Sequence, residues 1–157
     1  MMRDAINNFP KQFAWEPEIK NADRLPKKDA LVVAGMGGSQ WSMEFLKMRF
    51  PGLPFIAHRD YGLPELPAFL AEHALVVASS YSGETEETIS ACDEARMRQF
   101  PLAVIAKGGK LLELARAHTI PYVELPDTGI QPRMATGLLV RALLKLLGKE
   151  EELAETS

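Results

Sequence analysis

The sequence holds a single cysteine, Cys92, so no disulfide can form within the chain. Cys92 falls in a stretch of helical character with no His or Cys beside it, which fits a small core residue rather than a metal ligand or a reactive thiol. There is no basic excess either. The 18 Lys and Arg stand against 21 Asp and Glu, for a net charge of −3. That balance lacks the basic stripe of a nucleic-acid-binding domain. No run approaches the roughly 18 apolar residues of a membrane-spanning helix. The first residues, Met1-Met2-Arg3-Asp4-Ala5-Ile6, carry no apolar run of signal-peptide length. The expected location is the cytoplasm, with neither membrane nor nucleic acid as partner.

What remains is an ordinary globular composition. The 157 residues are 46% apolar and 25% charged, enough for one domain with a real core. Short apolar runs at 30–34 (ALVVA), 54–58, 74–78 (ALVVA again), 102–106 (LAVIA) and 121–125 read as strands. Helical patterns fill 39–50, 65–72, 84–99, 109–118 and 133–147 between and after them. Alternating strands and helices predict an α/β fold, a five-stranded parallel sheet with helices on both faces. Residues 1–29 form a lead-in of a short helix and irregular chain, 30–148 the single domain, and 149–157 a charged tail expected to fray. Ligands of such sheets bind outside the carboxyl ends of the strands. Small and polar residues gather there.

Three segments carry chemistry. Gly35-Met36-Gly37-Gly38-Ser39-Gln40 follows a strand and opens a helix, so backbone and free N–H groups can approach a ligand. A dinucleotide fingerprint needs glycine where Gln40 stands, a Walker loop needs a G-K-[ST] that is absent, and a nucleophile elbow needs glycine at Trp41. A plain glycine turn with Ser39 as N-cap is the alternative. The loop Ser79-Ser80-Tyr81-Ser82-Gly83-Glu84-Thr85 also joins a strand to a helix. Hydroxyls of Ser80, Ser82 and Thr85 around one helix N-terminus suit a phosphomonoester without a metal; the alternative is that Ser82 merely caps the helix. Glu84 and Glu86 would repel such an anion unless they face away. Gln131-Pro132-Arg133 reads as the start of the last helix. Arginine there opposes the helix dipole, so either an anion meets it or it is a solvated surface residue.

Together these segments resemble the SIS (sugar isomerase) domain, and more narrowly the amino-terminal half of the bifunctional phosphoglucose/phosphomannose isomerases. The shared patterns are G-M-G-G-S at 35–39, S-Y-S-G-x-T-E-E-T at 80–88, R-D-Y-x-L-P at 59–64, G-G-K-L at 108–111, Q-P-R at 131–133 and I-x-x-F-P-x-Q at 6–12. The resemblance implies a flavodoxin-like three-layer sandwich. It implies that Ser80, Ser82 and Thr85 hold the phosphate of a hexose 6-phosphate, that Gly37, Gly38 and Ser39 line the sugar, and that Arg133 stabilises an enediol-like intermediate as the catalytic residue. It implies no cofactor and no metal.

The implied activity is aldose–ketose isomerisation of a sugar phosphate. The family's enzymes carry a second such domain that provides the glutamate base, a histidine and a lysine, and this chain stops at Ser157, near where the first half would end. The expectation is therefore a homodimer or a second SIS chain that completes the site. A non-catalytic sugar-phosphate-binding module is the alternative. Within the chain, His58 is the first candidate for a substitute base, ahead of Glu44, His73 and His118. The last helix, with Leu138, Leu139, Val140, Leu143, Leu144, Leu146 and Leu147 around a narrow polar stripe of Gly137, Arg141 and Lys145, points to cover from another chain.

Overall fold

The computed structural model describes residues 2–157. In chain order the elements are α1 (Met2–Asn7), a 3₁₀ turn (Phe9–Ala14), β1 (Ile19–Lys20), a 3₁₀ turn (Ala22–Arg24), β2 (Ala30–Ala34), α2 (Gly38–Arg49), β3 (Phe55–His58), α3 (Ala68–His73), β4 (Ala74–Ser79), α4 (Glu86–Met97), β5 (Leu102–Ala106), α5 (Gly109–Ala117), β6 (Tyr122–Glu124), a 3₁₀ turn (Pro132–Met134), α6 (Thr136–Leu146) and α7 (Glu150–Glu155). The five expected strands form and pair in parallel, in the order β6-β5-β4-β2-β3. The sheet has six strands, however. β1 comes from the lead-in and pairs antiparallel with β6, Ile19 opposite Val123.

Strand residues alternate between two cores. Leu31, Val33, Leu75, Val77, Ala103 and Ile105 face a layer built from α2, α6 and α7. Ala30, Val32, Val76, Ala78, Val104 and Ala106 face α4 and α5. Because both faces are covered, β2, β4 and β5 are buried throughout, which explains their unbroken apolar runs. Cys92 lies in the second core, and burial pushes its thiol up to about 12. Its thiolate population at neutral pH is accordingly negligible. Dithionitrobenzoate should titrate no thiol in the native protein and one after denaturation; rapid native labelling would contradict this burial.

Two features differ from the sequence reading. The charged tail folds back on the domain. It forms α7, Leu153 is buried, and Thr156 and Ser157 bond to Arg141. Arg141, from the narrow polar stripe of α6, is fully buried and donates to the Trp15 carbonyl, the Leu153 carbonyl, Thr156, Glu16 and Ser157 at 2.5–3.1 Å. The sheet, α2, the Phe9–Ala14 turn and α7 enclose α6, so the chain itself covers the helix all round. The apolar character of that helix therefore gives no ground for a partner chain.

Candidate functional site

The strand order reverses between β2 and β4, whose following connections run in opposite directions across the sheet. At such a switch point the loops part and leave a crevice. The glycine loop leaves β2 there and the serine loop leaves β4. Between them lies a small cavity of about 100 Å³ lined by Met36, Gly38, Ser39, Ser80, Tyr81, Ser82, Thr85 and Pro132.

The three hydroxyls expected to act together do converge. Ser80 Oγ lies 2.8 Å from Thr85 Oγ1 and 3.4 Å from Ser82 Oγ. Ser80 Oγ also accepts the Gly83 N–H at 3.1 Å, and Ser82 Oγ accepts the Glu84 N–H at 3.2 Å. Ser82 is not the N-cap of α4. Thr85 holds that position, and no side chain caps the helix, so its first-turn N–H groups are left for another acceptor. Gly83 makes the turn at φ +78° and packs so closely on the 108–109 loop that an added Cβ would overlap the Gly108 carbonyl.

Neighbouring acids turn away. Glu84 accepts the Lys110 N–H at 3.0 Å, at the start of α5, and Glu86 accepts from the Tyr61 hydroxyl at 3.1 Å. The electrostatics of the cavity are thus left to hydroxyls and to the positive end of a twelve-residue helix. Tyr81 is buried with no partner for its hydroxyl among the described residues.

The glycine segment divides. Gly38 and Ser39 line the cavity; Gly37 does not. Gly37 is exposed, holds the N-cap of α2 at φ +54°, and nothing stands within 4 Å of where its Cβ would be. Ser39, rather than capping α2, is buried inside the first turn and donates to the Ser79 carbonyl at 3.2 Å, tying one loop to the other. Gly38 is where a side chain is forbidden by contact. A Cβ there would stand 2.7 Å from the Pro132 carbonyl oxygen and 2.8 Å from Arg133 Cα, both backbone. Gly38→Ala should therefore push the Pro132–Met134 turn off α2 and cost about 1–3 kcal/mol. Urea denaturation checks this, and an unchanged midpoint would contradict the close approach.

Arg133 does not start α6. It lies in the separate 3₁₀ turn, and α6 begins at Thr136. Its side chain is exposed and has no ion-pair or hydrogen-bond partner among the described residues. Pro132 walls the small cavity, while Arg133 walls a second, larger one of about 590 Å³ between the lead-in and the 126–134 segment. The larger space is mostly apolar, with Trp15, Ile130, Met134 and Leu138 in its walls. The converging hydroxyls make the smaller one the candidate site.

Sequence reasoning missed what holds the arginine turn. Gln12 is buried, donates to the Met134 carbonyl at 2.7 Å and accepts the Leu138 N–H at 3.2 Å. One amide thus fastens the end of the turn to the start of α6. The only signal was the F-P-x-Q pattern, and nothing local connects residue 12 to residue 134.

The proposed internal bases do not join the site. His58 lines neither cavity; it pairs in register with Ala34, and its buried Nε2 has no partner among the described residues. Glu44 is half-buried between Lys47 and Arg59, at 3.7 and 3.6 Å. His73 stacks on Phe69 at the end of α3. Glu94 holds the 59–64 loop instead, accepting the Leu63 N–H at 2.9 Å; that bond and Arg98 hold its carboxyl below the usual carboxylate range.

Among the described residues, no helix is long and apolar enough to cross a membrane. No model of a known protein family matches the chain. A bifunctional phosphoglucose/phosphomannose isomerase of Caldicellulosiruptor bescii is 37% identical over 94% of this chain and 44% of its own length. The sugar isomerase domain of an RpiR transcription factor from Sphaerobacter thermophilus superposes with a TM-score of 0.56 at 16% identity, over 99% of this chain and 92% of that one. The Vibrio vulnificus NanR protein, solved in complex with ManNAc-6P, gives 0.55 at 21% identity over 93% of this chain and 57% of its own. These two likenesses establish the fold. The chain spans less than half the length of the curated isomerase. By sequence, matched over nearly all its residues, it is a homologue of the bifunctional phosphoglucose/phosphomannose isomerases, built on the fold of the sugar isomerase domain.

Proposed function

We propose that this chain holds a hexose 6-phosphate for aldose–ketose isomerisation of phosphoglucose/phosphomannose type. The observation that carries the reading is the convergence of Ser80, Ser82 and Thr85 at the uncapped start of α4. Three hydroxyls, free N–H groups and a helix dipole together satisfy the oxygens and charge of a phosphomonoester. The sugar then extends past Gly38 and Ser39 toward the 132–133 turn.

Isomerisation takes a proton from C2 of the aldose and returns one to C1, while the hydroxyl proton on O2 moves to O1. Negative charge develops on the enediol oxygens between these steps. Arg133, the cation beside the cavity wall, stabilises that charge. The base must stand within hydrogen-bond reach of the C1/C2 proton. No carboxylate or imidazole lines the small cavity, so the base comes from a second polypeptide or domain.

That same lining favours one other reading, a sugar-phosphate-binding module without turnover. A coupled assay of fructose 6-phosphate to glucose 6-phosphate separates the two. Turnover by the chain with its natural partner is expected. Hexose-phosphate binding with no turnover in any assembly would leave the binding module in place of the isomerase.

A further inference from the structure

The R-D-Y-x-L-P segment at 59–64 lines neither cavity. It is nevertheless fastened along α4, the helix that opens at the converging hydroxyls. Three residues of α4, at i, i+4 and i+8, hold it. Glu86 accepts from the Tyr61 hydroxyl at 3.1 Å, Ser90 Oγ accepts the Gly62 N–H at 3.0 Å, and Glu94 accepts the Leu63 N–H at 2.9 Å. Residues four apart adjoin on a helix surface, so these acceptors form one row. Gly62 suits the place: it sits at φ +66°, and a Cβ there would overlap the Glu94 carboxylate. The bonds to Ser90 and Glu94 come from backbone and ask little of the loop's sequence. The bond from Tyr61 uses a side chain, and it goes to an acid adjoining Thr85.

Glu86 follows Thr85 directly and is exposed. Its carboxylate can swing toward Thr85 Oγ1 or away from it. Acids in a first turn suit the helix dipole, but a carboxylate beside a bound phosphate repels it. Glu84, on the other side of Thr85, has its own tether in the Lys110 N–H. Tyr61 is the tether of Glu86. Its side chain is 57% exposed, so packing does little to account for a tyrosine there. The bond to Glu86, with the charges of Glu86 and Glu87, holds the phenol above the usual tyrosine range. The hydroxyl therefore stays a donor well past neutral pH.

We propose that Tyr61 is a positioning residue for the phosphate seat: its hydroxyl holds the Glu86 carboxylate off the hydroxyl cavity. A phosphomonoester then meets hydroxyls, N–H groups and the helix dipole without a negative charge beside it. The inference rests on the phosphate reading of that cavity. Tyr61 need not touch the ligand. Its effect is electrostatic, so removing the charge of Glu86 cancels it.

Calorimetric titration with fructose 6-phosphate tests this on wild type, Tyr61→Phe, Glu86→Gln and the double variant, with circular dichroism to check that each folds. Tyr61→Phe should weaken binding at least about threefold at low salt. The loss should shrink in about 1 M NaCl, where screening acts within about 3 Å. Glu86→Gln should bind at least as tightly as wild type, and in its background Tyr61→Phe should cost nothing. The amide can still accept from Tyr61, so a merely structural bond would be lost again in the double variant. If wild type binds and Tyr61→Phe binds equally well, or if its loss persists in the Glu86→Gln background, the proposal falls and the phosphate seat stands. If wild type does not bind fructose 6-phosphate, seat and proposal fall together.

Discussion

Arg133→Ala is expected to lower kcat by about 10²–10³-fold in an isomerising assembly while leaving KM for the sugar phosphate nearly unchanged. On the proposed reading the phosphate sits at the start of α4, among hydroxyls that do not bond to the arginine, so most ground-state binding should survive. What is lost is stabilisation of charge that exists only between the two proton transfers. The placement argues for this division. Arg133 lies on a short turn, held at one end by Gln12 and pressed against Gly38, and its guanidinium has no ion pair among the described residues. Arg133→Lys should recover part of the loss, because a point charge keeps the attraction without the planar fork. A rise in KM with kcat intact would assign Arg133 to ground-state binding instead.

Arg141→Ala should destabilise the fold by about 3–4 kcal/mol, combining a cavity inside the helical layer with a stranded carbonyl. The side chain donates to five acceptors drawn from both ends of the chain: Trp15 and Glu16 near the start, Leu153, Thr156 and Ser157 at the end. Leu153's carbonyl keeps donors in Thr156 and Ser157, so the Trp15 carbonyl is the group left without its partner. Arg141→Met fills more of the space and should cost less, as replacing a buried charge with apolar volume generally does. Urea denaturation measures both. In the alanine variant, α7 should also become the first site of limited proteolysis. A loss below about 1 kcal/mol would mean that the clasp is redundant with the packing of Leu153.

Much of this was legible in the sequence because parallel strands buried on both faces announce themselves as unbroken apolar runs. The two ALVVA segments and LAVIA became β2, β4 and β5 with little change. The serine loop was legible for another reason: three hydroxyls within six residues at a strand–helix junction have few positions to occupy. What failed to show was long-range. Two residues, Ile19 and Lys20, are too few to display a period, so the antiparallel edge strand was invisible. Arg141 occupies a helical position where a polar residue ordinarily meets water, and its partners lie 12 to 126 residues away. The start of α6 was misplaced because Pro132 is as well suited to a 3₁₀ turn as to the first turn of a helix. His58 sat at the end of a strand, where ligands gather, yet lines neither cavity.

The most direct measurement of the central claim is calorimetric titration of the chain with fructose 6-phosphate and, separately, with fructose. The phosphate ester should bind and the free sugar should not. Ser80→Ala and Thr85→Ala should each weaken binding at least about tenfold, the usual cost of losing a hydrogen bond to a charged group. Equal affinity for fructose and its phosphate, or phosphate-sugar binding untouched by either substitution, would contradict a phosphate seat at the serine loop.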